Sequence, residues 1–411
     1  MHPLDAGPVG VVIGTIRLAV ARRACAPWCL RMPRARISVV RTEQLISAIR
    51  PFVTSGVVPG AVVGLRHRRE TTVDSLGVTE PDGLDRLRVD AVARISSNTK
   101  PMIAALTLLL AQDGVFALDD PVERFLPELA NRRVLRRLDG RLDDTEPARR
   151  PITIEDLLTM RMGFGWVFES DCPAVGRAIE LELGFGPPDP QGPPLPGEWM
   201  ARFATLPLLE QPGSVWRYEL AFAVLGVLLA RAAGCPLDVA LRDRLFAPLG
   251  MTDTGFVADT ERLVPAFGRG EEGLVRFDGV LDSRWAAHPR FPDGRGGLAS
   301  SAGDLMRFAG MLLDDGDGLL SPDSVTAMTT DQLTAAQRAG PSAAMFLNAG
   351  AGATDSASPR AQQAADTAGA ADLGPCGIPG PTTTSRRSSS RRSCHPPPRS
   401  STRSPTPSTA V

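Results

Sequence analysis

Ser97 and Lys100 stand three residues apart in the string Ser-Asn-Thr-Lys, a spacing that could support nucleophilic chemistry. Residues i and i+3 share one face of a helix, so a hydroxyl and an amine at these positions can approach each other. A serine hydroxyl is a poor nucleophile until a base removes its proton, and a desolvated lysine amine can be that base. A helix N-terminus also supplies N–H groups for a developing oxyanion. The pair therefore indicates a serine nucleophile with a lysine base.

The same pattern has a structural interpretation, in which Ser97 caps a helix and Lys100 is solvated. A lone lysine has a serine three positions earlier by chance about one time in fifteen, so the spacing alone is weak. However, Lys100 is the only lysine among 45 basic residues. Arginine could replace it on a surface but does not deprotonate, so it cannot supply a neutral amine. Ser96 is a competing hydroxyl, but its i, i+4 spacing to Lys100 is less favourable than that of Ser97.

Three apolar segments predict the helices that would position these groups. Residues 100–114 give the strongest helix, with a proline near its start, an almost unbroken apolar run and a glycine at its end. Because this helix is apolar on all sides, it is expected to be buried. An extended stretch at 91–96 runs into it, which places the serine where strand meets helix. Residues 220–234 predict a second buried helix, and residues 301–316 predict an amphipathic one.

Several shorter segments carry local signals. Residues 42–54 predict a helix up to their proline, and residues 59–78 predict a β-hairpin. Thr153, followed three residues later by Asp156, resembles the capping box that starts a helix. Residues 171–197 are rich in proline and glycine, which predicts a long surface loop that could act as a lid over a site.

The composition excludes some classes of protein. A net charge of −1 argues against whole-protein binding to nucleic acid or to an anionic membrane. The 411 residues, 43% of them hydrophobic, can form two or more domains or one large α+β body. The apolar run at 9–16 is too short to cross a bilayer. The six cysteines show no paired metal-ligand spacing. They are predicted to be reduced thiols in a cytoplasmic protein.

Both ends of the chain are predicted to lie outside the folded domain. Residues 350–411 contain only three large aliphatic residues and no aromatic residue, so they are predicted to be disordered. Their arginines could contact nucleic acid or an acidic partner, but a solvated tail is the expectation. Residues 1–40 are predicted to be an N-terminal extension, with Met32 as an alternative start. Residues 41–349 remain as the folded domain.

The string at 94–102, RISSNTKPM, resembles the nucleophile motif of the group that contains class C β-lactamases, penicillin-binding proteins and family VIII carboxylesterases. The resemblance spans about residues 42–333 and implies an α+β fold of the β-lactamase/transpeptidase type. In that fold an antiparallel sheet built from both chain ends is flanked by helices, with a helical subdomain inserted. Five further segments resemble the family in its own order: 117–129, 152–165, 212–234, 246–256 and 296–322.

The resemblance implies roles for three residues. Ser97 would be the acylated nucleophile, Lys100 the amine beside it, and Tyr218 the tyrosine of the family's Y-x-N motif. A phenol beside a cationic amine can accept and return a proton. The structural alternative is that Tyr218 is a core aromatic whose hydroxyl is hydrogen-bonded. Against this, it is the only tyrosine in the chain and stands at the family's position.

Leu220 departs from the family pattern, which usually has asparagine two residues after the tyrosine. That asparagine would steady the lysine and a substrate amide, and leucine can do neither. The expected function is therefore a serine hydrolase that acts by acyl transfer to Ser97 on small or medium acyl esters. The alternatives are a penicillin-recognising or peptidase-like member and an inactive family remnant. A small ester or amide substrate is expected, with no metal or organic cofactor, nucleic acid or membrane partner; the oligomeric state is not predicted.

The family's third motif, a K-T-G, H-x-G or glycine-rich strand, should follow residues 301–316 but is not found. The C-terminal strands that would carry it are therefore predicted to be missing. A shifted reading frame from about residue 350 and a weakly active chain are the corresponding expectations. The sequence also contains no G-x-S-x-G elbow, H-E-x-x-H, P-loop or G-x-G-x-x-G motif that would favour another enzyme class.

Overall fold

A computed structural model of the chain describes residues 8–9, 42–67, 69–168, 170–270 and 273–347. The predicted tail at 350–411, and nearly all of the predicted extension at 1–40, lie outside the described residues. The secondary structure is α+β, as expected. The helices are α1 (Thr42–Thr54), α2 (Thr99–Gln112), α3 (Ile154–Leu158), α4 (Pro173–Glu180), α5 (Pro196–Ala204), α6 (Ala221–Ala233), α7 (Leu237–Leu241), α8 (Ala247–Leu249), α9 (Ala302–Leu313), α10 (Pro322–Thr329), α11 (Ala335–Arg338) and α12 (Pro341–Leu347).

In the described part of the chain, the strands are short and pair antiparallel in four small sheets. Their orders are β1-β7-β8, β2-β3, β4-β9 and β5-β6. The hairpin of β2 and β3 runs in register from Gly60 opposite Gly77 to His67 opposite Glu70. The strands are β1 (Pro8–Val9), β2 (Gly60–His67), β3 (Glu70–Gly77), β4 (Val92–Arg94), β5 (Arg133–Leu135), β6 (Thr145–Pro147), β7 (Ala266–Gly270), β8 (Gly273–Asp278) and β9 (Ala299–Ser301).

Helix α2 lies at the centre of the main hydrophobic core. Its residues from Met102 to Leu110 are buried, and it packs against α6, α7 and α10. Helix α6 is similarly buried from Ala221 to Leu229, which accounts for its lack of a polar face. It ends at Gly234, whose left-handed backbone (φ 68°) is a common helix terminator. The two apolar segments predicted to be buried helices thus form adjacent parts of the core.

Two local predictions differ from the structure. Helix α1 continues past Pro51 to Thr54 instead of stopping at the proline. The segment 171–197 is not a continuous loop, because α4 forms within it and buries Ala174, Val175 and Ala178. Pro173 stands in the first turn of α4, where its missing N–H costs no hydrogen bond, so a proline that suggested a loop instead starts a helix.

The capping box at α3 forms as predicted. Thr153 accepts a hydrogen bond from the Asp156 amide, and the Asp156 carboxylate accepts one from the Thr153 amide.

Among the described residues, no single helix is long and apolar enough to cross a membrane. Helix α6 and the helical run Leu237–Leu249, in which a π-helical turn over Arg242–Phe246 joins α7 to α8, reach that length and composition only as a pair, and the pair is bent by 77°.

Candidate active site

Ser97 lies at a sharp bend between a strand and a buried helix. Strand β4 pairs with β9, and the Ile95 amide donates to the Leu298 carbonyl at 3.0 Å. A single 3-10 turn over Ser96–Asn98 then leads into α2. Ser96 has a positive φ of 44°, which is uncommon for a residue other than glycine and marks local backbone strain. The bend places the Ser97 side chain at the start of α2.

Lys100 is buried, with 6% of its surface exposed, and its amine contacts three oxygen atoms. Its Nζ lies 2.9 Å from Ser97 Oγ, 3.3 Å from the Tyr218 hydroxyl and 2.7 Å from the Arg295 carbonyl oxygen. The Ser97 and Tyr218 hydroxyls can either donate to the amine or accept from it, whereas the Arg295 carbonyl can only accept from it. The contact with Ser97 follows the i, i+3 spacing from which it was predicted.

Tyr218 completes a triangle of hydrogen bonds with these two side chains. Its hydroxyl lies 2.7 Å from Ser97 Oγ, and Lys100 Nζ lies 4.7 Å from the centre of its ring. Its carbonyl accepts a hydrogen bond from the Trp166 amide at 3.0 Å. At Gly165 an added Cβ would come within 2.5 Å of the same carbonyl, so the close approach of the two segments requires glycine there.

Phe346, on α12, packs on the ring of Tyr218. The two ring centres are 4.2 Å apart and the planes are inclined by 23°. Helix α12 is held in place by Ser342, whose hydroxyl donates to the Trp166 carbonyl and accepts from Arg217. The predicted boundary of the family resemblance was about residue 333, so this contact was not anticipated.

A buried group of charges lies beside the triangle. Arg295 forms a close ion pair with Asp293, and the side chains of both are 5% exposed. Glu219, next to Tyr218, lies 3.4 Å from Arg295 and accepts a hydrogen bond from the Trp166 indole at 2.8 Å. Burial acts to lower the pKa of Arg295, but the charges of Asp293 and Glu219 raise it above its ordinary value. The guanidinium is therefore permanently charged.

The structure brings together the three residues predicted from the sequence and adds a fourth contact. Leu220, at the position of the family's asparagine, is buried in the main core. The Arg295 carbonyl instead supplies an acceptor for the lysine. Sequence reasoning missed this contact because a backbone carbonyl has no residue signature. The only signal was an arginine standing among glycines at 294–297.

Such a triangle can transfer a proton. The Ser97 hydroxyl is within hydrogen-bond distance of both an amine and a phenol, so its proton has two possible acceptors. The first turn of α2 begins at the same place, and its positive end favours negative charge developing near Ser97. These features are those required for attack by a serine hydroxyl on a carbonyl carbon.

Comparisons with known proteins agree with this chemistry. A family model described as Beta-lactamase matches residues 45–371. An uncharacterized protein of Mycobacterium tuberculosis is 40% identical over 300 residues, covering 71% of this chain and 72% of that protein. Esterase EstB of Burkholderia gladioli is 33% identical over 271 residues, covering 61% of this chain and 64% of its own length.

Solved structures show the same fold. EstCE1, described as a hydrolase with promiscuous acyltransferase activity, has a TM-score of 0.62 at 22% identity and covers 72% of this chain and 78% of its own. The LovD6 mutant of simvastatin synthase from Aspergillus terreus has a TM-score of 0.56 at 27% identity, and the match covers 71% of this chain and 69% of that one. The match over most of the chain and the 40% identical relative lead to one conclusion. The chain belongs to the beta-lactamase-related family of serine hydrolases.

Proposed function

We propose that the chain is an esterase that forms an acyl-enzyme on Ser97, with Lys100 and Tyr218 as its proton-transfer groups. The observation that carries this proposal is the triangle in which Ser97 Oγ lies 2.9 Å from the amine and 2.7 Å from the phenol. A structural role for Lys100 alone would not require the chain's single lysine to be buried against its single tyrosine.

The reaction has two halves. Ser97 Oγ attacks the ester carbonyl carbon while its proton passes to Lys100 or Tyr218. The tetrahedral intermediate then collapses, the bond to the alcohol oxygen breaks, and that oxygen takes the proton. In the second half a water molecule gives a proton to the same groups and attacks the acyl carbon. The bond from that carbon to Ser97 Oγ then breaks, Oγ takes the proton, and the acid leaves. An alcohol in place of water would give transesterification, which is an acyl transfer of the kind described for EstCE1.

Labelling with a fluorophosphonate tests the nucleophile directly. The reagent should modify Ser97, as located by mass spectrometry of peptides, and the variant Ser97→Ala should remain unlabelled. Ser96→Ala is the matched control because it removes the neighbouring hydroxyl and should keep the label. If Ser97→Ala is labelled as fast as the wild type, Ser97 is not the nucleophile.

We further propose that small or medium acyl esters are better substrates than β-lactams. Leu220 lies 1% exposed in the hydrophobic core and has no polar atom with which to bind a substrate amide. The kcat/KM for a p-nitrophenyl ester should therefore exceed that for a chromogenic cephalosporin. A higher kcat/KM for the cephalosporin, or a stable adduct with labelled penicillin, would favour the penicillin-recognising alternative. No turnover of either substrate and no labelling of Ser97 would favour an inactive remnant.

A further inference from the structure

Asp293 holds Arg295 through both backbone and side chain. The Asp293 carboxylate accepts hydrogen bonds from the Arg295 amide at 2.9 Å, from Nε at 2.9 Å and from the terminal guanidinium nitrogen at 2.6 Å. A carboxylate that engages the amide and the guanidinium of one residue fixes the backbone between them. Because both side chains are buried, water does not compete for these bonds.

Arg295 in turn contacts three segments of the candidate site. Its carbonyl oxygen accepts the hydrogen bond from Lys100 at 2.7 Å. Its guanidinium donates to the Gly184 carbonyl and lies 3.4 Å from the Glu219 carboxylate. Glu219 follows Tyr218 directly and has a positive φ of 117°, a strained conformation that needs external support. A single residue, through its carbonyl and its side chain, thus links the surroundings of the lysine to those of the tyrosine.

We propose that Asp293 and Arg295 form a positioning pair that fixes Lys100 and Tyr218 relative to Ser97. The inference rests on the proposed function of the same site. Leu220 offers the lysine no acceptor, so the carbonyl of residue 295 supplies one, and the ion pair keeps that carbonyl in place. The hydrogen bonds of Ser97 Oγ run to Lys100 and Tyr218 and not to the pair, so the pair acts through these two proton-transfer groups.

The proposal predicts a loss of rate with little loss of binding. Arg295→Ala keeps the carbonyl oxygen and removes only the side chain that fixes it, while Asp293→Asn removes the charge that holds the arginine. Because misplacing a reacting group by about 1 Å can cost about 10²-fold in rate, each variant should lower kcat and the rate of fluorophosphonate labelling by about 10- to 10²-fold. The KM should stay near that of the wild type.

Asp278→Asn is the matched control for general destabilisation. Asp278 forms an equally buried ion pair with Arg94, at side-chain exposures of 3% and 6%. The other hydrogen bonds of the Arg94 side chain run to Val264, Gly279 and Ser283 and not to the triangle. Its loss should lower the unfolding temperature as Asp293→Asn does but leave kcat unchanged. A merely structural role for Asp293 predicts that the two variants behave alike.

A spectroscopic measurement separates this proposal from the proposed function. Because Lys100 is the only lysine, lysine isotopically labelled at Cε gives one assigned NMR signal. A side chain held by three acceptors should show two distinct Hε shifts. They should merge in Arg295→Ala and Asp293→Asn but remain distinct in Asp278→Asn. This result supports the pair even if the wild type neither hydrolyses esters nor reacts at Ser97, an outcome that would overturn only the esterase assignment. Unchanged Hε shifts in both site variants, or equal changes in the control, would overturn the positioning pair.

Discussion

At Lys100 the chemical question is whether the site needs a positive charge or a removable proton. The amine lies among Ser97, Tyr218 and the Arg295 carbonyl, in a space that admits three hydrogen bonds. Arginine would keep the charge, but its guanidinium does not give up a proton in proteins. A base in this position must be able to do so, because the serine is activated by proton removal and the leaving alcohol needs a proton returned.

Lys100→Arg should therefore abolish acylation even though the charge is kept. The measurement is the rate of fluorophosphonate labelling together with ester turnover. Tyr218→Phe, which removes only the hydroxyl at 2.7 Å from Ser97, should lower the rate by about 10²–10⁴-fold, the range for general acid–base groups. A Lys100→Arg variant with near wild-type turnover would show that only positive charge is needed.

At the scale of elements, the sequence predicts helices well where it carries a long apolar pattern or a capping motif. The helices α2, α6 and α9 follow from their apolar patterns, and α3 follows from its capping box at Thr153. Helix α4 was missed because the glycines and prolines around it outweighed its short apolar face. Contacts made by backbone atoms, such as the Arg295 carbonyl, could not be predicted because every residue type has the same carbonyl.

A buried ion pair between two strands gives a prediction about how stability depends on pH. Asp278, at the end of β8, pairs with Arg94 on β4 and accepts a hydrogen bond from Ser283. Burial acts to raise the pKa of Asp278, but the bonds from Ser283 and the Arg284 amide and the charge of Arg94 lower it below its ordinary value. A carboxyl with a lowered native pKa stabilises the fold above its unfolded pKa, and this contribution is lost as the pH falls through the native value.

Asp278→Asn should accordingly lower the free energy of unfolding by about 3 kcal/mol at neutral pH, because Arg94 loses its charged partner. The difference from the wild type should begin to shrink below about pH 4, the ordinary carboxyl pKa, and should disappear as the pH falls through the lower native pKa of Asp278. Urea denaturation at both pH values measures this. Asp90→Asn, in a half-exposed pair with Arg88, should change stability by no more than about 1 kcal/mol. A pH-independent difference for Asp278→Asn would contradict the linkage.

At the scale of the whole molecule, the candidate site draws on segments from well separated parts of the chain, including the last described helix. Helix α12 places Phe346 on Tyr218 and joins Trp216, Tyr218 and Leu333 in a small apolar cluster apart from the main core. The resemblance seen in the sequence ended at about residue 333, so it did not predict that Phe346 packs on Tyr218.

Phe346→Ala should therefore affect the reaction more than the fold. Beyond the loss of its buried area, the missing stacked pair should lower stability by about 0.5–1.5 kcal/mol. Without that ring the Tyr218 phenol is less firmly held, and fluorophosphonate labelling should slow by about tenfold or more, since small displacements of reacting groups lower the rate strongly. Phe52→Ala is the control, because Phe52 is 55% exposed on α1. Equal labelling rates for Phe346→Ala and the wild type would show that α12 does not hold Tyr218.

The wide separation of these segments also determines when reactivity can arise during folding. Ser97 and Tyr218 are 121 positions apart, and Lys100 and Arg295 are 195 apart. Contacts between such distant positions form slowly, because the intervening chain must lose its freedom before they stabilise anything. Ser97 and Lys100 are neighbours on the chain, but Ser97 gains its phenol only after the chain has reached Tyr218, and Lys100 gains its backbone acceptor only after the chain has reached Arg295. The serine thus stays unreactive in the nascent chain, and its reaction with a fluorophosphonate is a late marker of native folding.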